Sequence, residues 1–255
     1  MSKIVLLTGD KPLSRAVAHA LQRRFGDITI LVVQKKTLIA SVGYRVRNLG
    51  VKRAAGQLML LGAYGVFAGR LAARRRRAIL AQHQLDDSPL PRSKLRRVAS
   101  VNADETIRLL QEIAPDAIVV FHTPIIAARV LASVKAPFIN LHGGITPKYR
   151  GNHATYWAMV NRDHENCGAT VHLVNEGVDT GDIIYQRRVR PMPGDNFFTY
   201  QYFQTATGIP LLLQAVEDVL TGALSTYRRD ADRSVLWRTP TLFEYLRNGW
   251  RTGVW

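Results

Sequence analysis

Three polar side chains of the kinds that donate hydrogen bonds and move protons occur in the second half of the chain. Asn140 and His142 lie two positions apart at the end of an apolar stretch, so in an extended strand their side chains leave the same face. Asp179 follows 37 residues later, within the glycine-rich segment Gly177–Asp182. Because the carboxyl ends of buried parallel strands line the ligand crevice of open α/β sheets, this set predicts a binding or catalytic site.

Glycines and a basic turn lie beside these side chains. Gly143 and Gly144 follow His142 directly, and glycine lets the backbone approach a ligand closely. The segment Pro147–Gly151, with sequence PKYRG, predicts a rigid, basic turn. Simpler structural roles stay open for each residue, since asparagine and aspartate are common in turns and a histidine at a strand end can be purely structural.

The other titratable side chains of this region show no catalytic pattern. The single cysteine, Cys167, cannot form an internal disulfide, fits a reducing cytoplasm and is interpreted as a packing residue. Asp182 is interpreted as a turn residue. The rings of His122, His164 and His172 are interpreted as structural or exposed.

The segments NLHG, PKYRG and GVDTGDI, in this order and spacing, resemble the folate-dependent formyltransferases. That family includes methionyl-tRNA formyltransferase, glycinamide ribonucleotide transformylase and the sugar N-formyltransferases. The resemblance covers residues 115–190, extends in less specific form to residues 1–35, and is absent from residues 42–100. It implies transfer of a formyl group from 10-formyltetrahydrofolate to a primary amine, without a metal.

The resemblance also assigns roles to individual residues. Asn140 would donate to the oxyanion of a tetrahedral intermediate, an interaction worth about 3–4 kcal/mol where such donors are removed. His142 would assist the oxyanion and relay protons. Asp179 would hold a water or the imidazolium and accept the proton of the attacking ammonium. The implied donor site comprises Phe121, His122, Thr123, Ile125, Val174, Glu176, Gly177 and Val178, and the implied acceptor site comprises Lys148, Tyr149, Arg150 and Gly151.

The amine acceptor is less sharply indicated. The segment Thr8–Ser14 replaces the glycine-rich phosphate loop of glycinamide ribonucleotide transformylase, and Pro12 removes a backbone donor there. Methionyl-tRNA formyltransferase continues into an OB-fold domain, whereas Phe197–Thr221 predicts a helix. We therefore expect a nucleotide-linked amino sugar of surface polysaccharide synthesis. Glycinamide ribonucleotide, methionyl-tRNA and another small amine stay open as alternatives.

The elements that must position these residues form a repeated pattern. Strand, helix and strand alternate, which predicts right-handed βαβ units and a Rossmann-like, mainly parallel α/β sheet. We expect a catalytic domain over residues 1–225, with a basic helical insertion at 42–100, and a helical or irregular tail at 226–255 that folds back on the core or joins a partner chain in a homo-oligomer. The predicted strands are Lys3–Gly9, Asp27–Gln34, Asp116–Phe121, Pro137–Leu141, Gly168–Val174 and Asp182–Val189; the predicted helices include Asp10–Arg24, Glu105–Ile113, Pro124–Val134, Tyr156–Val160 and Phe197–Thr221.

The charge distribution needs a separate interpretation. The chain carries a formal net charge of +16, and between Arg45 and Arg97 thirteen Lys or Arg residues face two acids. A single helix predicted over Gln57–Arg77 would be a core helix with a solvated arginine face, an amphipathic helix on an anionic membrane, or a nucleic-acid contact. No apolar run is long enough to span a bilayer and no secretory signal is evident, so we expect a cytoplasmic protein, with the inner membrane face as an alternative location. A basic membrane-binding or nucleic-acid-binding protein is the non-enzyme alternative.

Overall fold

A computed structural model describes residues 2–34, 37–63, 69–230 and 233–255 of the chain, and only the backbone of residues 69–71. The strands are β1 (Ile4–Gly9), β2 (Thr29–Val33), β3 (Leu95–Val98), β4 (Ala117–Phe121), β5 (Phe138–His142), β6 (Tyr149–Gly151), β7 (Gly168–Leu173), β8 (Ile183–Arg188) and β9 (Val235–Trp237). The helices are α1 (Pro12–Phe25), α2 (Leu38–Leu49), α3 (Val51–Ala63), α4 (Gly69–Gln82), α5 (Asp104–Ile113), α6 (Ala128–Leu131), α7 (Ala154–Val160), α8 (Tyr200–Thr221) and α9 (Leu242–Thr252).

The main sheet has the strand order β3-β2-β1-β4-β5-β7-β8. The strands from β3 to β5 are parallel to their neighbours, whereas β7 and β8 pair antiparallel. This arrangement confirms the predicted Rossmann-like, mainly parallel α/β sheet. Within residues 42–100, where we expected a basic helical insertion, the structure also has the edge strand β3. This strand has four residues with Arg96 and Arg97 at its centre and is too short to show an apolar pattern.

Two different layers cover the faces of the sheet. One face packs against α1 and α8 through residues that include Leu6, Val119 and Leu141. The opposite face packs Val120 and Phe138 into a second apolar cluster with residues of α5 and α6. Asn140 is paired directly with Val120, and side chains alternate along β5, so Asn140 and His142 lie on this second face. The polar site is therefore a continuation of an apolar face beyond its helical cover.

The predicted helix over Gln57–Arg77 corresponds to parts of α3 and α4, with residues 64–68 between them lying outside the described residues. Helix α4 buries Ile79 and Leu80 in the main core. Arg75 of the same helix forms an ion pair with Asp195, whose carboxylate has no solvent exposure, at an Nε–Oδ1 distance of 2.7 Å. For α4 the structure thus favours a core helix over a membrane-binding one. No helix within the described ranges combines the length and apolarity needed to cross a bilayer.

The C-terminal segment folds back onto the site side of the molecule. Strand β9 pairs in parallel with β6 and places the Trp237 ring against Trp157, at a centroid distance of 4.7 Å. Helix α9 begins with a capping box, in which the side chains of Thr241 and Glu244 each bond the backbone N–H of the other residue. The tail residues Trp237 and Tyr245 pack against the third apolar cluster, around α7.

The ion pair of α4 gives the first prediction. Arg75→Ala should destabilise the fold by about 2 kcal/mol, because the buried Asp195 carboxylate keeps only its bonds from Met192 N and Thr199 Oγ1. The exposed Arg77 on the same helix is the matched control, and Arg77→Ala should change stability by less than about 0.5 kcal/mol. Urea unfolding at neutral pH measures both, and equal losses in the two variants would contradict the structural role of Arg75.

Candidate active site

The structure brings Asn140, His142 and Asp179 together on one face of β5. The Asn140 amide nitrogen lies 3.4 Å from Asp179 Oδ1, and His142 Nδ1 lies 3.3 Å from Asp179 Oδ2. His142 is buried and only 13% of the Asp179 side chain is exposed. An amide, an imidazole and a carboxylate thus form one hydrogen-bonded and largely buried group, and the structure brings together the three residues that the resemblance singled out.

The loop between β7 and β8 carries Asp179 over the sheet face. Asp179 has a φ of 52°, in the left-handed region that non-glycine residues seldom adopt. Two neighbouring residues hold it there, since Gly151 N donates to Asp179 Oδ2 at 2.8 Å and Arg150 Nη1 donates to the carbonyl of Val178 at 3.1 Å. A Cβ at Gly181 would lie 1.7 Å from the Leu173 carbonyl oxygen, so the return of this loop requires glycine.

The environment of Asp179 favours the ionised carboxylate. Burial acts to raise the pKa of Asp179, but the attraction of His142 and the hydrogen bond from the N–H of Gly151 act against it, and this pKa is held well below its ordinary value. The carboxylate is therefore charged throughout the neutral and mildly acidic range. It can orient an imidazolium and accept a hydrogen bond from an ammonium.

His142 is fixed between two oxygen acceptors. Its Nδ1 faces Asp179, and its Nε2 lies 3.0 Å from the backbone carbonyl of Tyr149. A ring that carries protons on both nitrogens would be hydrogen-bonded on both sides. Gly144 makes this position possible, because a Cβ there would lie 2.7 Å from His142 Nε2.

His172 also belongs to the site, although the sequence predicted a structural or exposed ring at this position. It is buried on β7 directly opposite Asn140, with its Nε2 3.0 Å from the Asn140 amide nitrogen and 3.5 Å from Asp179 Oδ1. Its Nδ1 lies 2.7 Å from the Leu173 carbonyl, which places the proton on Nδ1 and leaves Nε2 to accept from Asn140. The alternation of Gly168–Val174 shows which residues share a face with His172, but its partner on β5 depends on a register between distant segments.

The residues predicted to bind the donor occupy two segments. Ile125 is 58% exposed on the connection after β4, and the Asn102 side chain holds this connection by donating to the Ile125 carbonyl at 3.0 Å. Val174 packs against the apolar cluster of the site face, and the loop after it is more exposed at Glu176, Gly177 and Val178. Phe121 differs from the others, because its side chain is buried in the core on the opposite face of the sheet.

The residues predicted to bind the acceptor make contacts within the protein. Lys148 Nζ pairs with Asp163 at 2.7 Å, and the buried Tyr149 ring lies parallel to the Trp237 ring at 5.9 Å. Arg150 bonds Ser234 Oγ as well as the Val178 carbonyl. Together with the Gly151 N–H, these contacts hold the Asp179 loop and the turn after β5 in place.

Two histidines form a second polar group that the sequence analysis did not assign to the acceptor. His122 and His153 have left-handed φ values of 56° and 57°. Burial, together with the smaller effect of the Lys11 charge, lowers the pKa of His122 to about 3 and that of His153 to about 4. The three residues follow β4, precede α7 and precede α1, so loops from distant parts of the chain contribute neutral imidazoles and one ammonium to the same region.

Comparison with known proteins agrees with this geometry. The sequence model of the formyl transferase family matches residues 3–202. The chain belongs to the formyl transferase family. The matched residues include β5, the Asp179 loop and most of the sheet.

Relatives differ in the reactions that their names describe. A methionyl-tRNA formyltransferase of Methylacidiphilum infernorum is 30% identical over 148 residues, which are 55% of this chain and 46% of the relative, so the match spans less than half of that protein. A sugar N-formyltransferase structure from a Shewanella species is 18% identical, with a TM-score of 0.57 over 92% of this chain and 76% of the other. Glycinamide ribonucleotide transformylase 1 of Symbiobacterium toebii is 17% identical, with a TM-score of 0.56 over 93% and 95%. The two solved structures share the fold of this chain.

The buried carboxylate gives a prediction for the pH dependence of stability. The Asp179 pKa is lower in the folded protein than the value of about 3.9 in an unfolded chain, so its stabilising effect is present above pH 4 and is lost as pH falls toward the folded pKa. The stability difference between the wild type and Asp179→Asn should shrink below pH 4, by at most about 1.4 kcal/mol per pH unit. Urea unfolding from pH 7 to pH 3 measures this difference. A difference that is constant over the whole range would show that the Asp179 pKa is not lowered.

Proposed function

We propose that this formyltransferase moves a formyl group from 10-formyltetrahydrofolate to a primary amine, with Asn140, His142 and Asp179 as the catalytic residues. The observation that carries the proposal is the meeting of these side chains at 3.3–3.4 Å on one face of the sheet. Formyl transfer needs a donor for a developing oxyanion, a proton relay and a fixed carboxylate. The three side chains supply these groups in the order given.

Asn140 acts on the oxygen that becomes negatively charged. Its amide nitrogen is the only donor group of its side chain, and the His172 ring accepts one of its two hydrogens. The second hydrogen lies toward Asp179 at the long distance of 3.4 Å, so it can be redirected to an oxyanion at little cost. His172 is thus a positioning residue that sets the plane of the amide.

His142 and Asp179 transfer the protons of the reaction. An amine must lose a proton when it becomes an amide, and the ionised Asp179 carboxylate accepts it directly or through a water. His142 lies within reach of the same carboxylate and can pass a proton to the leaving nitrogen. The Tyr149 carbonyl keeps the ring oriented during this exchange.

The residues on both sides of the catalytic group fit a folate donor, which supplies the activated formyl carbon when bound. A flat heterocycle with donors and acceptors on its edge needs an apolar surface and backbone groups. Val174 and the buried Ile126 provide apolar surface from the same cluster, and the segments 122–127 and 175–178 provide backbone groups. Thr123, Ile125, Glu176 and Gly177 belong to these two segments; the Phe121 side chain does not.

For the acceptor we propose a nucleotide-linked amino sugar. Neutral imidazoles such as His122 and His153 can hydrogen-bond sugar hydroxyls, and the Lys11 ammonium suits a phosphate. Structural neighbours that include the Shewanella sugar N-formyltransferase share the fold over nearly the whole chain. The second candidate is a methionyl-tRNA, because the sequence relatives are named for that acceptor.

Substitutions of the three catalytic residues test the reaction. Asn140→Ala should lower kcat by about 10²–10³-fold, because an oxyanion donor is lost. His142→Ala and Asp179→Asn should each lower kcat by a similar or larger factor. Release of tetrahydrofolate from 10-formyltetrahydrofolate in the presence of an amine measures the rate. Thermal unfolding identifies variants that fail to fold, and activity near the wild-type level in a folded Asp179→Asn variant would contradict the mechanism.

A panel of amines tests the acceptor. Nucleotide-linked amino sugars, glycinamide ribonucleotide and methionyl-tRNA are supplied at equal concentration with the folate donor. We expect turnover with an amino sugar, and His153→Ala should raise KM for that sugar by about tenfold with a smaller change in kcat, because the loss of a hydrogen bond to a bound hydroxyl weakens binding. His164→Ala, at an exposed position, is the matched control. Turnover with methionyl-tRNA and none with any sugar would favour the second candidate.

A further inference from the structure

Most of the excess positive charge lies in one continuous part of the chain. No acidic residue occurs between Asp27 and Asp86, whereas eleven Lys or Arg residues do. Several of these cations stabilise the fold, as Arg75 does with Asp195 and Arg53 does with Glu244. Others, such as Lys52, are exposed and form no ion pair with a carboxylate of the described residues.

The same region exposes large apolar side chains. In α3 the buried residues are Ala54, Gln57 and Leu60, and the exposed residues Val51, Ala55 and Met59 repeat every four positions along another stripe of the helix. Val51 is 68% exposed and Met59 is 63% exposed. Helix α2, which packs on α3, buries none of its residues and exposes Leu38, Ile39 and Tyr44.

Helix α9 has the same combination on one side. Phe243, Arg247 and Trp250 occur at spacings of four and three residues, so they lie on one face, with Arg251 beside them. Phe243 is 71% exposed and Trp250 is 76% exposed, and both arginines are exposed. No carboxylate of the described residues forms an ion pair with Arg247 or Arg251.

Helices α3 and α9 pack against each other and form one body. A Cβ at Gly56 would lie 2.8 Å from Thr241 Cβ, Gln57 Nε2 donates to the Thr239 carbonyl at 2.6 Å, and Arg53 pairs with Glu244 at 3.1 Å. Glu244 is the only acidic residue of α9, and its carboxylate is engaged by Arg53 and by the helix cap. The exposed parts of both helices therefore present apolar groups and cations without an available negative charge.

We propose that the exposed face of α9 binds peripherally to a bilayer of anionic phospholipid. Aromatic and aliphatic side chains flanked by arginine and lysine are the composition of helices that lie in the plane of a membrane interface, where cations contact headgroup phosphates and apolar groups reach the acyl boundary. A protein partner would need acidic groups around an apolar patch to match the same surface. The proposed surface consists of Phe243, Arg247, Trp250 and Arg251 of α9. Helix α4 is not part of it, because α4 is committed to the core.

Vesicle binding by the full chain tests the proposal. Vesicles of phosphatidylcholine alone are compared with vesicles in which about a third of the lipid is phosphatidylglycerol, at low and physiological salt, by sedimentation and by the emission of Trp250. We expect binding only to the anionic vesicles, weakened by salt, with a blue shift of tryptophan emission that Trp250→Phe removes. Arg247→Gln with Arg251→Gln should lower the partition coefficient about 30-fold, and Phe243→Ser with Trp250→Ser should lower it roughly tenfold or more.

A matched control separates this surface from general positive charge. Arg187 and Met192 are exposed outside the three helices, and Arg187→Gln with Met192→Ser removes one cation and one apolar side chain there. This control should bind vesicles within about twofold of the wild type. Circular dichroism and thermal unfolding verify that all variants are folded, so the test does not depend on formyl transfer.

Three outcomes would overturn the proposal. Equal binding to neutral and anionic vesicles would remove the role of the arginines. Wild-type binding by the folded α9 variants would place the contact elsewhere on the chain. Absence of vesicle binding together with self-association that Trp250→Ser abolishes would make the surface an interface between two copies of this chain.

Discussion

The buried carboxylate of Asp179 is the charge on which the site depends. A carboxylate removed from water is costly unless several donors surround it, and an isolated one would take up a proton instead. Here the donors are the Asn140 amide and the His142 ring from β5 and the Gly151 N–H from β6, while His172 of β7 orients the Asn140 amide. Each of these strands must therefore be correctly placed before the carboxylate is stable in its position. The same arrangement that stabilises the charge aims the three predicted catalytic groups at one point.

Glycine placement explains why this dense packing is possible. At Gly144 and Gly181 any side chain would overlap with His142 or with the Leu173 carbonyl. Those two positions bring the backbone of the turn and of the loop to within hydrogen-bonding distance of the site. The absence of side chains at these two glycines therefore determines the geometry of the site as much as the polar side chains do.

The sequence predicted the parts of the site that are local. Asn140 and His142 share a strand, so their common face followed from a short-range pattern. Their meeting with Asp179 was implied by the family resemblance. His172 was missed because its neighbour is set by the pairing of β5 with β7, which no local pattern encodes. Strands β3 and β9 were missed for a related reason, since three or four residues show no alternation and gain their structure from a partner strand.

The net charge is also easier to interpret with the fold known. Arginines that look equivalent in the sequence differ in the structure, as Arg75 is bound to a buried carboxylate while Arg77 of the same helix is exposed. The run from Arg74 to Arg77 lies on α4, whereas the exposed aromatic residues beside arginines lie on α9, nearly 170 residues later. Charge density along a sequence therefore indicated the presence of a basic surface and not its position.

The pairing of β6 with β9 has a consequence for when the candidate site forms during synthesis of the chain. Strand β6 supplies the N–H that bonds Asp179 and the arginine that holds its loop, and β6 has β9 as its partner strand. A chain emerging from the ribosome can form the whole seven-stranded sheet before β9 has been synthesised. Such a nascent chain would carry Asn140, His142 and Asp179 on a finished sheet yet lack the strand that pairs with β6, so the candidate site would be completed only once β9 has been synthesised.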